Sequence, residues 1–139
     1  MNTVAAPLAG QSRPVLNIAL WVGQLALAAV FSYTAYMKFN LSAEVLAKFM
    51  PGFPFALMRF IAWAEALGAV GILLPALTRV LPRLTAWAAV GFFTIVVLAS
   101  GFHISRGEYN ALPMTLGLAV IAAFVAWGRF WAAPIQPRR

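Results

Sequence analysis

Two stretches of the sequence hold side chains that could do chemistry, one inside an apolar run and one directly after another such run. Residues 101–110 read GFHISRGEYN and hold the only histidine, His103, together with Arg106 and Glu108. A further acid, Glu65, lies within the apolar run MRFIAWAEALGAVGILLP. Histidine and carboxyl groups transfer protons, and arginine donates hydrogen bonds to carbonyl or anionic oxygens. These residue types suit the binding of a polar head group coupled to proton transfer.

The composition indicates an integral membrane protein with a single domain over residues 1–139. Hydrophobic residues make up 63% of the chain and charged residues 9%, against roughly 45–50% and about 25% in ordinary globular domains. A soluble chain of 139 residues cannot bury that much apolar surface. The lipid bilayer is therefore the first partner that we expect.

Charge and cysteine content exclude several function classes. The net charge of +7 comes from basic residues that mark the ends of apolar runs, as membrane topology signals and phosphate anchors do, so no nucleic-acid partner is expected. The chain has no cysteine, which excludes disulfides, thiol nucleophiles and iron–sulfur clusters. One histidine and scattered acids do not form a zinc site, so we expect no metal.

Four apolar runs are long enough to cross the hydrocarbon core, which takes about 20 residues per helix. They span about 15–39, 55–74, 84–102 and 112–131. Their short connections predict an all-α, antiparallel four-helix bundle in the membrane. Ser42 is expected to cap a short interfacial helix in the first loop.

Lysine and arginine counts predict the orientation. Both termini and the second loop share one side, which carries Arg13, Arg79, Arg83, Arg129, Arg138 and Arg139. The other side carries Lys38, Lys48, Arg59 and Arg106. The positive-inside rule then puts both termini in the cytoplasm and GFHISRGEYN on the outer side.

Helix phase predicts a polar pocket near the outer leaflet. Glu65 lies about 15 Å into its helix, where a carboxylate must face the bundle interior, find a donor or be protonated. Lys38, Arg59, His103 and the residues after it fall at one membrane level, above Glu65. We assign candidate catalytic roles to Glu65 and His103 and candidate ligand-binding roles to Gln24, Lys38, Arg59, Arg106 and Glu108.

Each of these residues also has a purely structural interpretation. Lys38 and Arg59 are long enough to extend to lipid head groups. His103 and Arg106 can be satisfied by backbone and lipid phosphate. Gln24 can simply form a hydrogen bond across the bundle. Both interpretations remain open for every residue.

Taken together, these stretches resemble the DoxX-like family of small bacterial four-helix membrane proteins. The resemblance rests on LALAAVFSYTAYMKF, on RFIAWAEALGAVGILLPALTRVLPRLTAWAAVGFF, on FHISRGE and on FVAWGR, and covers nearly the whole chain. It implies a multi-pass protein of the bacterial cytoplasmic membrane. It also implies an association with membrane redox assemblies, because the family is named after a membrane subunit of a thiosulfate:quinone oxidoreductase.

Three functions remain in competition, and the sequence does not decide whether the protein is an enzyme. The first is a subunit of, or accessory to, a membrane oxidoreductase, with a quinone as the candidate cofactor and a redox protein as the candidate partner. The second is a non-enzymatic scaffold whose polar cluster locks the bundle and docks a partner. The third is a small proton-coupled transporter, which would need to form a homo-oligomer.

Overall fold

A computed structural model describes residues 13–139 and shows a chain made almost entirely of helices. The described elements are α1 (Pro14–Phe39), α2 (Ala43–Phe49), α3 (Phe55–Thr78), α4 (Arg83–Ser105) and α5 (Leu112–Trp127). A 3₁₀ turn (Tyr109–Ala111) precedes α5, and a π-helical turn (Gly128–Ala132) extends it. No strand occurs within this described part of the chain.

The long helices form a closed antiparallel bundle. Helix α1 packs against α3 and α5, and α4 packs against the same two helices, so each long helix has two neighbours. Four segments are long and apolar enough to cross a membrane, namely Pro14–Phe39, Phe55–Thr78, Arg83–Ser105 and Tyr109–Ala132. The predicted all-α membrane four-helix bundle is confirmed.

The helices extend further than the apolar runs suggested. Helix α3 continues through Pro75 to Thr78 and ends at Arg79, which takes the left-handed conformation with φ 60°. Proline removes one backbone donor from a helix, but a membrane-spanning helix tolerates this when neighbouring groups satisfy the freed carbonyl. Helix α4 runs on to Ser105, so His103 lies within its last turn.

Small residues and two phenylalanines fill the centre of the bundle. Phe31 of α1 stacks on Phe92 of α4 with ring centroids 3.9 Å apart and ring planes within 4°. Ala62 and Ala69 of α3 are buried beside Glu65. Because lipid tails are as apolar as the core, helix association in a membrane depends on such close packing and on hydrogen bonds between helices. Large apolar side chains accordingly point outward, among them Leu25, Leu67, Leu98 and Val120.

Helix α2 lies at the end of the bundle formed by the C-termini of α1 and α4. Ser42 caps it by accepting a hydrogen bond from the backbone N–H of Val45 at 3.2 Å, as its position predicted. Leu46 of α2 is fully buried. Phe53, in the loop after α2, packs edge-on against Phe102 of α4 at 5.5 Å. The first loop therefore covers this end of the bundle, which we call the outer end.

Candidate functional site

A buried ion pair joins α1 to α3 near the outer end. Lys38 Nζ donates to both carboxylate oxygens of Glu65, at 3.0 and 2.9 Å. Thr34 adds a third donor to the same carboxylate at 3.0 Å. The Glu65 residue is only 3% exposed, whereas the side chain of Lys38 is 25% exposed. The carboxylate thus has the donors that its depth requires, and the ammonium group reaches it from the rim.

Arg59 stabilises the C-terminus of α1 instead of extending freely to lipid. Its guanidinium donates to the carbonyl oxygens of Lys38 and Leu41, both at 3.3 Å, and to that of Phe39. It also lies over the ring of Phe55, 4.8 Å from the centroid. The last carbonyls of a helix lack partners within the helix and carry partial negative charge, so a cation there satisfies and stabilises them.

A second polar cluster joins the end of α4 to the loop that follows it. His103 Nδ1 lies 2.8 Å from one carboxylate oxygen of Glu108, and Arg106 Nε donates to the other at 2.7 Å. Gly107 makes the tight turn possible with φ 70°. Hydrogen bonds from Arg106, and then from His103, hold the pKa of Glu108 below its ordinary value of 4.5. Arg106 also donates to the carbonyl of Phe49 at 3.1 Å, which ties this loop to α2.

The two outer-end clusters lie at the same end of the bundle but form separate networks. Among residues 13–139, no ion pair or hydrogen bond connects His103 to Glu65. A groove of about 550 Å³ does lie between α1 and α3. Its wall is almost wholly apolar, and none of the predicted site residues lines it: Ala28, Ser32, Ala35, Tyr36, Phe39, Ala66, Ala69, Val70, Leu73, Leu74 and Leu77.

Gln24 belongs to a third network, which enters from the opposite end of the bundle. Its side-chain amide donates to the carbonyl of Ile72 at 3.0 Å, and its oxygen accepts from Arg129 Nε at 2.6 Å. Arg129 Nη1 donates to Asn17 Oδ1 at 2.7 Å and to the carbonyl of Ala133 at 3.1 Å. Gln24 is therefore hydrogen-bonded to a residue from the opposite end and not to the outer-end clusters, although helix phase correctly placed it inside the bundle.

Arg129 is a buried charged residue that the sequence did not indicate, because a basic residue after an apolar run is typical of a topology signal. It lies in the π-helical turn and is 3% exposed. Its neighbour Gly128 leaves no room for a side chain, since a Cβ there would overlap Leu20. Side chains on a helix tilt toward its N-terminus, so an arginine at the end of α5 extends back into the bundle. The signal was a glycine–arginine pair directly after an apolar run.

A family comparison agrees with this architecture. The sequence model of the DoxX-like family matches residues 22–125 of this chain. The chain belongs to the DoxX-like family. Comparison of this DoxX-like protein with curated proteins and with solved structures gives no match. The matched segment contains Lys38, Glu65 and His103 but ends before Arg129.

The chemistry available to this DoxX-like protein is proton transfer and hydrogen bonding. Within residues 13–139, no group of three or more histidine, cysteine or acidic side chains could hold a metal ion. The Lys38–Glu65 pair offers a buried carboxylate and an ammonium donor at the rim. The His103–Glu108 pair offers a second titratable couple, exposed at the surface.

Proposed function

We propose that this DoxX-like protein is a membrane subunit of, or an accessory to, an oxidoreductase, and that the Lys38–Glu65 pair binds the head group of a quinone or a similar amphipathic ligand. The observation that carries the proposal is the asymmetric burial of the pair. Glu65 is enclosed, while a quarter of the Lys38 side chain is exposed at the outer end.

Lys38 has hydrogen-bonding capacity for a ligand. An ammonium group has three N–H donors and no acceptor. Two contacts of Lys38 Nζ go to the oxygens of Glu65, which leaves one donor for a ligand carbonyl. Such a carbonyl can bind without separating the ion pair, so binding does not expose a buried charge.

An aromatic surface beside the pair suits a flat ring. Trp63, two residues before Glu65, is 59% exposed and packs edge-on against Phe39 at 5.1 Å. Phe39 directly follows Lys38. Aromatic rings attract one another in offset or edge-on geometries. Trp63 and Phe39 therefore offer an exposed aromatic surface at the level of Lys38, on which a quinone ring would stack.

The residues have distinct roles in this proposal. Lys38 orients the ligand, the Glu65 carboxylate can accept a proton from Lys38 and return it, and Thr34 keeps the carboxylate fixed. A bound quinone would supply the electron-accepting ring, and a partner redox protein would supply the electrons. Arg59 is a positioning residue, because it fixes the end of α1 from which Lys38 extends.

The charge distribution supports the proposed orientation in the bacterial cytoplasmic membrane. All three glutamates, Glu44, Glu65 and Glu108, lie at the outer end. The opposite end carries only basic residues among its charged groups: Arg13, Arg79, Arg83, Arg129, Arg138 and Arg139. The positive-inside rule assigns that arginine-rich end, with both termini, to the cytoplasm.

Thermal unfolding of the purified protein in lipid nanodiscs, with and without a short-chain quinone, tests the proposal. Quinone should raise the Tm of the wild type and of Lys48→Met, which removes an exposed lysine from α2. It should not raise the Tm of the double variant Lys38→Met/Glu65→Met, in which no unpaired charge is left behind. An equal Tm increase in the double variant, or none in the wild type, would refute the proposed site.

A non-enzymatic scaffold is the second candidate, and the internal satisfaction of the outer-end networks favours it. Glu65 and Glu108 each have donors within the chain, as groups that only lock a fold would. For a scaffold, the double variant Lys38→Met/Glu65→Met should keep the activity of the partner complex once the fold is retained. Loss of partner activity with an intact fold would exclude this candidate.

A further inference from the structure

Two buried polar atoms near the arginine-rich end of the bundle, opposite the outer end, have no hydrogen-bond partner among residues 13–139. They are Nη2 of Arg129 and Oγ1 of Thr85. Arg129 is 3% exposed and Thr85 is 0% exposed, so bulk water does not satisfy them. Buried polar groups in proteins are almost always paired, and an unpaired buried cation is especially costly.

The helix register places the residues Thr85 and Arg129 at the same level of the bundle. Helices α4 and α5 are antiparallel neighbours. The hydroxyl oxygens of Ser100 and Thr115 are 2.8 Å apart, and the rings of Trp87 and Phe130 pack edge-on at 5.3 Å. Continuing this register toward the start of α4 places Thr85 opposite the π-helical turn that carries Arg129.

Among residues 13–139, no acidic side chain forms an ion pair with Arg129. Its three acceptors are the neutral oxygens of Gln24, Asn17 and Ala133. No aspartate occurs in the chain, and the glutamates belong to other elements, α2, α3 and the loop after α4. A buried charge normally has an opposite charge beside it, so this site lacks its counter-ion.

Two further features favour an anion here. Thr85 lies in the first turn of α4, whose N-terminus has no side-chain cap, so the positive end of the helix dipole points at the same region. The C-terminal segment brings further positive charge to this end, because Arg138 N–H donates to the carbonyl of Arg79 and Arg79 Nε donates to that of Gln136, both at 2.9 Å.

We propose that Arg129 Nη2 and the Thr85 hydroxyl together bind one oxygen of a phosphate group. Arginine is the residue best suited to phosphate oxygens, and the hydroxyl of Thr85 donates a second hydrogen bond. The phosphate belongs either to an anionic phospholipid head group or to free inorganic phosphate. The site is independent of the Lys38–Glu65 pair and of the function proposed for it.

The test compares the wild type with Thr85→Val, which keeps the side-chain shape but removes the hydroxyl. In one arm, inorganic phosphate is titrated into protein in a neutral detergent at constant ionic strength, and Tm is measured. In the other arm, nanodiscs of phosphatidylcholine with and without phosphatidylglycerol are compared by Tm and by native mass spectrometry of retained lipid. Thr94→Val, an exposed position on the same helix, and Arg83→Gln, which removes a charge from the same end, are the controls.

The wild type should be stabilised in one of the two arms, and which arm responds identifies the source of the phosphate. Thr85→Val should bind about tenfold more weakly, as expected for one lost hydrogen bond to a charged group. Both controls should bind as the wild type does. Without anion, Thr85→Val should be at least as stable as the wild type, because it removes an unpaired buried hydroxyl. Equal responses of wild type and Thr85→Val, or no response of the wild type in either arm, would overturn the proposal.

Discussion

Lys38 and Glu65 lie 27 residues apart on antiparallel helices, yet Lys38 Nζ contacts both carboxylate oxygens of Glu65. The contact is possible because α1 ends at Phe39, so that Lys38 is near the rim and its flexible stem extends down to the acid. Thr34, one turn deeper on the same face of α1, donates a further hydrogen bond to the carboxylate at 3.0 Å. This arrangement places a carboxylate with three hydrogen-bond contacts inside an apolar bundle.

Breaking this pair from either side should destabilise the protein more than removing it entirely. Glu65→Met leaves a partly buried ammonium without a partner, and Lys38→Met leaves a buried carboxylate. Each should lower the free energy of unfolding by about 3 kcal/mol, and the double variant by clearly less than the sum. Reversible unfolding of the wild type, the two single variants and the double variant in mixed micelles measures this double-mutant cycle. Additive losses of unfolding free energy would show that the two groups do not interact.

Replacing Gln24 should destabilise the protein, because Gln24 connects Arg129 to α3. Gln24→Met removes the acceptor of Arg129 Nε and the donor to the carbonyl of Ile72. Leaving these buried groups unpaired should cost about 2–3 kcal/mol of unfolding free energy. Gln136→Met, in the exposed C-terminal segment, should change stability by less than about 0.5 kcal/mol. Equal stabilities of the two variants would contradict the burial of Arg129.

Two glycines should behave in opposite ways when a methyl group is added. A Cβ at Gly68 would lie 2.6 Å from the ring of Phe92, whereas a Cβ at Gly91 would meet nothing within 4 Å. Gly68→Ala should therefore displace the Phe31–Phe92 stack and cost about 1–3 kcal/mol. Gly91→Ala should be neutral or stabilising by up to about 1 kcal/mol, because alanine favours the helix. Thermal unfolding of both variants checks the packing of α3 on α4.

The backbone amides of the loop after α4 should lose protection against hydrogen exchange in acid. Because the native pKa of Glu108 lies below 4.5, its ionised form stabilises the folded loop. That contribution is fully present above pH 4.5 and is lost as the pH falls through the lowered native value. Hydrogen exchange of residues 107–110 in the wild type should approach that of Glu108→Gln over this acidic range. A constant difference down to the lowest pH would contradict the account.

The sequence was sufficient to predict the spans, because apolar length and short loops dictate them. It also predicted that Glu65 needs a donor, since a carboxylate at that depth cannot remain unpaired. It could not choose the donor: Lys38, Arg59 and Arg106 were all predicted at the same level. The choice depends on where α1 ends and on how far each side chain extends, which is decided by packing between helices.

Arg129 shows a second limit of sequence reasoning. A basic residue after an apolar run is usually an interfacial anchor. Arg129 therefore counts among the basic residues that predict the membrane orientation. The structure buries it because the backbone continues as a π-helical turn and Gly128 packs closely against Leu20. Neither feature leaves a periodic signal in a single sequence, so the sequence does not predict that Gln24 pairs with Arg129.

Infrared difference spectroscopy on quinone addition tests the central claim most directly. The chain has only three glutamates and no aspartate, so each carboxyl band can be assigned with Glu44→Gln, Glu65→Gln and Glu108→Gln. Binding at the Lys38–Glu65 pair predicts a change in the carboxyl bands that persists in Glu44→Gln and Glu108→Gln and disappears in Glu65→Gln. A spectrum without carboxyl bands, or one unchanged in Glu65→Gln, would contradict the proposed ligand site.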